Sequence, residues 1–174
     1  IAFLVAVAFF IGSAFFRAWQ LPEDISASVT ETVESPVAAV WMVLNTAGVL
    51  EERFDEVEFE NVVEDDFGLV SWTARHEDRN YYTQFTRTQA DQPADGSAWV
   101  YAYSITPEDV PVQTARAIQM RDLGNGSTEV RITDDLVVKD RQLRMWMGVL
   151  GIDSGVKNEM KAITSLASAA EAAL

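Results

Sequence analysis

The chain has 174 residues, and its 13 Lys and Arg stand against 27 Asp and Glu, a formal net charge of −14 with one histidine and no cysteine. That is one domain with room for one appendage, and the acidic balance excludes duplex DNA or RNA as a partner, because neutralising phosphates needs basic residues gathered on a face. The missing cysteine excludes disulfides, thiolate-bound zinc, iron–sulfur clusters and thiol catalysis.

Ile1 to Phe16 carry no charge, and Arg17, Trp19 and then Pro22-Glu23-Asp24 follow. Sixteen helical residues span roughly 24 Å, short of the ~30 Å hydrocarbon core of a bilayer. The chain opens on Ile inside the apolar run, so further residues are expected upstream. Arg17 can snorkel and Trp19 can sit among headgroups, as at the end of a membrane span. Ser13-Ala14-Phe15-Phe16 is a poor cleavage site, and a run apolar on every side at a terminus is no ordinary core helix. The run therefore predicts an uncleaved anchor over residues 1–21, ahead of a soluble domain over 22–174.

Ile25, Ala27, Val29 and Val33 alternate with polar residues, the period of a half-buried strand. Ser35-Pro36 predicts a helix start, with Ser as N-cap and Pro at the first helical position. Val37, Val40, Trp41 and Leu44 make one stripe of that helix, and Ala47 to Phe54 a second short helix. Six strand-like runs follow: Val57 to Val63, Leu69 to Arg75, Asn80 to Thr88, Ala98 to Thr106, Gln113 to Asp122 and Thr128 to Val138. Short turn-forming segments between them imply an antiparallel meander. From Asp140 the pattern is helical, with Leu143, Trp146, Met147 and Leu150 on one stripe and Val156, Met160, Ile163, Leu166 and Ala170 on another. Gly148, Gly151 and Asp153-Ser154-Gly155 predict a break between them. The fold class is thus α+β: a curved antiparallel sheet of about seven strands, two short helices after the first strand, and a long C-terminal helix across the concave face.

The Thr/Val-rich strand running into Glu34-Ser35-Pro36-Val37-Ala38-Ala39-Val40-Trp41, the Gly126-Ser127-Thr128-Glu129-Val130 turn and the Lys/Ala/Leu-rich terminal helix resemble START-like or SRPBCC domains, the polyketide-cyclase and helix-grip superfamily. The resemblance covers about residues 25 to 174. It implies a cavity between sheet and C-terminal helix, in proteins that bind lipids, sterols, polyketides or other apolar molecules, or serve as accessory modules. Many bacterial members also carry an N-terminal span, usually with basic residues ahead of it that hold the N-terminus in the cytoplasm. That implies a single-pass membrane protein with its domain outside the cytoplasmic membrane, in the periplasm of a Gram-negative cell. Arg17, beyond the run, argues mildly the other way.

No convincing acid/base set emerges for catalysis. His76 precedes Glu77-Asp78-Arg79 and reads as a solvated turn residue rather than a general base, with no nucleophile elbow, phosphate loop or paired histidine beside it. Asp134 and Asp135 interrupt the last strand, and only one of them can face a cavity. An inward carboxylate near Arg116 or Arg131 would be a polar handle for a ligand headgroup; the alternative is a strand bend reaching solvent.

Trp99, Tyr101 and Tyr103 share one strand face, Phe85 and Tyr81 a face of the strand before, and Trp72 and Trp146 can complete the cluster. It either fills the core or lines a pocket, with Met145, Met147 and Met160 as adaptable walls. The candidate ligand-binding set is Trp72, Phe85, Trp99, Tyr101, Tyr103, Asp134, Trp146 and Met160, with no cofactor and no metal. Nine acids stand against Arg53 alone between Glu51 and Asp66. They read as a solvated face, then as a docking surface for a basic partner, and only distantly as a calcium site. From Lys139 onward five basic residues meet four acidic ones, so the acidity belongs to the β region. Two functions fit: a membrane-anchored binder of a hydrophobic or lipid-type ligand, or a non-catalytic accessory subunit docking on a respiratory or photosynthetic type of membrane complex through Ile1–Trp19 and Glu51–Asp66.

Overall fold

A computed structural model describes residues 16, 19–54, 57–76 and 81–171. The expected anchor lies mainly outside them. Among the described residues no helix is long and apolar enough to cross a membrane.

The order is β1 (Asp24–Val33), α1 (Val37–Asn45), a 3₁₀ turn (Ala47–Val49), α2 (Leu50–Arg53), β2 (Val57–Asp65), β3 (Gly68–His76), β4 (Tyr81–Asp91), β5 (Trp99–Pro107), β6 (Val112–Asp122), β7 (Thr128–Val138), α3 (Arg141–Leu150) and α4 (Ser154–Glu171). The strands form one sheet in the order β1-β7-β6-β5-β4-β3-β2, antiparallel throughout. Only β1 is paired out of sequence. Its register against β7 runs from Asp24↔Val137 to Val33↔Thr128, and the Thr128 hydroxyl donates to the Ser35 carbonyl at 2.8 Å, fixing where the chain leaves β1 for α1.

The N-cap of α1 is Pro36 rather than Ser35, and no side chain caps the helix. Pro36 instead supplies the carbonyl that accepts from Ala39 and Val40. Ser35 is buried, which turns its hydroxyl away from the capping role that its residue type suggested. At the other end of α1, Gly68 opens β3 with φ +95°, and a Cβ there would lie 2.4 Å from the Asn45 carbonyl oxygen. Only glycine satisfies both constraints.

Edge strand β2 departs from simple alternation. Val57 and Phe59 turn partly inward, but Asn61 takes φ +52° and the register slips between Glu60 and Val63. Val62 and Val63 are consequently both exposed. Such bulges twist an edge away from further pairing.

The helical end divides as its glycines predict. Asp140 caps α3 through the Leu143 amide at 2.7 Å, and Gly151 ends it with φ +102°, a positive φ that favours glycine. α4 then packs against α1 and crosses β1 and β7. Its stripe Val156, Met160, Ile163 and Ala167 is fully buried in one core with Val130, Ile132, Ile118 and Tyr101. A smaller cluster of Ile25, Leu136 and Val138 lies under Leu143 and Met147 of α3. Met145 and Met147 therefore lie on α3 and not on the long covering helix where the sequence pattern placed them; α4 covers the main core and α3 the smaller cluster.

Candidate ligand cavity

The inner face of β7 carries Thr128, Val130, Ile132, Asp134, Leu136 and Val138, while Asp135 points to solvent. Asp134 thus sits between the patch covered by α4 and the patch covered by α3. Across the ladder its partner is Arg116, and the two form a bidentate pair with both N···O distances 2.6 Å. Nη1 of Arg116 also reaches Oε2 of Glu159 on α4 at 3.4 Å.

Glu159 meets a second guanidinium. Oε1 accepts from Nε of Arg53 at 2.7 Å and lies 2.5 Å from its Nη2. Arg53 also donates to the Leu44 carbonyl at 2.9 Å and to the Tyr103 hydroxyl at 3.2 Å, and its guanidinium lies 5.0 Å from the Phe54 ring centroid. The Tyr103 hydroxyl in turn donates to Glu159 at 3.5 Å. Two arginines and two carboxylates are therefore buried together, and their formal charges cancel. Such a group persists away from water only when each member is paired and hydrogen-bonded. Burial opposes the charge on both arginines, but Glu159 and Tyr103 beside Arg53, and Tyr103, Asp134 and Glu159 around Arg116, more than offset it and raise both pKa values. Burial raises the phenols of Tyr101 and Tyr103 above their ordinary value, with Glu159 reinforcing the shift at Tyr103.

This network forms the polar end of a cavity of about 870 Å³ between the sheet and α4. Phe54, Val57, Ala74 and Phe85 make an apolar wall on one side, with Ala162 of α4 opposite, and Glu52, Asn158, Lys161 and Ser165 stand at its mouth, all four exposed. The volume is within the ~300–1,000 Å³ usual for small-molecule sites, which combine an apolar lining with a few placed polar groups. Gly155, in the first turn of α4, lets the helix approach: a Cβ there would lie 3.1 Å from Nη2 of Arg116.

Of the residues singled out from the sequence, Phe85 lines the cavity. Trp72 stacks behind it at 5.1 Å with an interplanar angle of 6°, and Tyr103 and Asp134 hold the arginines. Tyr101 donates to the Leu69 carbonyl and, with Trp99, meets Trp41 edge-on at 5.8 and 5.6 Å. Met160 is fully buried in the core. Trp146 does not join the cluster: it lies on the outer side of α3, 50% exposed. The Tyr81 side chain and the turn expected after His76 lie outside the described residues. Arg53 and Glu159, absent from the sequence-derived set, are central. On the acidic edge, Glu58 pairs with Arg75 at 3.4 Å, while Arg87 and the Phe67 amide hold Asp65 below the usual carboxylate range.

No protein-family model and no curated protein matches the sequence. Solved structures similar to the chain include the Zhui aromatase/cyclase of a Streptomyces species, at 18% identity over 83% of this chain and 94% of that one, TM-score 0.62. A norcoclaurine synthase from Thalictrum flavum, in complex with a transition-state analogue, is similar at 13% identity over 83% and 94%, TM-score 0.61. A START superfamily protein from Mycobacterium smegmatis is similar at 13% identity over 82% and 97%, TM-score 0.58. At such identities the likeness is one of fold, and the architecture of this chain is accordingly the START-like, SRPBCC-type helix-grip fold.

Proposed function

We propose that the chain is a membrane-anchored START-like domain that holds a hydrophobic, lipid-type ligand between the sheet and α4. The observation that carries this reading is the cavity of about 870 Å³, apolar along Phe54, Val57, Ala74 and Phe85 and polar at Arg53, Arg116 and Glu159. The fold shared with a START protein and an aromatase/cyclase supports it at the level of an apolar ligand site. Because the buried charges cancel, the ligand's polar end is a neutral group, such as a hydroxyl or carbonyl, that takes a guanidinium N–H without displacing Glu159. The uncharged run ending at Phe16 supports the anchor, and an extracytoplasmic domain follows from the START-like resemblance alone. Organic extraction and mass spectrometry of detergent-purified full chain test the proposal. One co-purifying apolar molecule per chain is expected; an empty extract from a folded protein counts against it.

A second reading, docking on a larger membrane complex, is favoured by the exposed acids of β2 at an open sheet edge. A mild-detergent pull-down yielding a stoichiometric partner, lost on Glu58→Lys/Glu60→Lys, supports it. Migration as a free monomer counts against it.

A further inference from the structure

Helix α3 has two adjoining apolar stripes. Leu143 and Met147 are used, packed with Leu21 and Ile152 over Ile25, Leu136 and Val138. The next stripe is turned outward, leaving Trp146 50%, Val149 38% and Leu150 76% exposed. No charge falls between Met145 and Ile152, while Lys139, Arg141 and Arg144 stand with the capping Asp140 at the helix start. A Trp/Leu face bordered by basic residues has the composition of a helix lying in a membrane interface.

Continuity and charge select the occupant. Phe16 and Trp19 are exposed at 64% and 42%, and the Arg141 guanidinium lies 4.0 Å from the Trp19 ring centroid. The chain leaving the uncharged run therefore comes onto the start of α3. The acidic strand β2 is at the opposite edge of the sheet from β1 and β7, about 29 Å away along the sheet at ~4.8 Å per strand. Anionic headgroups repel that edge more than the α3 end of this one, where Lys139, Arg141 and Arg144 offset Glu23, Asp24 and Asp140.

We infer that the outer stripe of α3, Trp146, Val149 and Leu150, lies in the headgroup region of the phospholipid bilayer that the run at 1–16 enters, so that the domain sits on the membrane by its β1–β7 edge. This rests on the anchoring part of the proposed function and is independent of the cavity's occupant.

The absence of cysteine makes single-site labelling clean. Full chain carrying Leu150→Cys, Glu60→Cys or Phe10→Cys is spin-labelled and reconstituted in vesicles of phosphatidylcholine and phosphatidylglycerol. Collision rates with oxygen, enriched in bilayers, are compared with those of a water-soluble nickel chelate. Positions 150 and 10 are expected to favour oxygen severalfold relative to position 60. If 150 behaves like 60 while 10 reports bilayer, the inference is overturned and the anchor stands. If 10 is also aqueous, the anchor itself fails. Protection of 150 from both reagents indicates packing against protein and overturns the inference as well.

Discussion

Arg53 and Glu159, 106 positions apart in sequence, meet with Nη2 and Oε1 2.5 Å apart and side chains only 0% and 2% exposed. Through this contact the short helix α2 is tied to α4, and through Arg116 and Asp134 the tie extends into the sheet. Removing one member leaves a charge buried without its partner. Glu159→Ala is expected to cost about 3–5 kcal/mol in urea unfolding. The double replacement Arg53→Met/Glu159→Met is expected to recover much of that loss, because it removes both desolvated charges.

Gly155 tests how tightly α4 sits on the network. Ala in place of Gly ordinarily adds about 1 kcal/mol in a helix interior and less in a first turn such as this one. Here the new Cβ meets Nη2 of Arg116 at 3.1 Å, and that nitrogen is pinned to Asp134 at 2.6 Å. Gly155→Ala is therefore expected to bring no gain, and Gly155→Val a loss of about 1–3 kcal/mol from overpacking, both read from chemical denaturation midpoints.

Alkaline pH probes the tyrosines. Burial keeps the phenols of Tyr101 and Tyr103 protonated above their ordinary range, whereas in the unfolded chain they ionise near pH ~10. Above that pH the folded state holds protons that the unfolded state has released, so stability falls as pH rises; below it this contribution is complete. Urea midpoints are expected to decline from about pH 10 upward, and less steeply in Tyr101→Phe/Tyr103→Phe.

Strand alternation and turn chemistry made the fold readable, since a half-buried sheet imposes its period of two on the chain. The inward placement of Asp134, rather than Asp135, and its neighbour Arg116 follow from that same period once the register is known. Arg53 and Glu159 were harder. Arg53 stands among nine acids and Glu159 between Lys157 and Lys161, so local composition reads both as solvated. A signal did exist at Glu159: it shares the helical stripe of Val156, Met160 and Ile163, a face that must be buried. Trp146 failed for the opposite reason. Its spacing from Leu143 and Leu150 suits a core stripe, but α3 packs through the Leu143/Met147 side and leaves Trp146 and Leu150 outside. Periodicity identifies an apolar face without saying how wide a strip of it the neighbouring sheet covers.

Native mass spectrometry of the full chain released from detergent, wild type beside Ala162→Trp, tests the ligand cavity most directly. Ala162 lines the same cavity as Phe54 and Phe85, and an indole there fills its space one helical turn from Glu159. Wild type is expected to carry one apolar molecule per chain and the variant none, with unfolding midpoints equal or higher in the variant. Equal loading of both proteins, or no bound molecule in either, contradicts a ligand held between the sheet and α4.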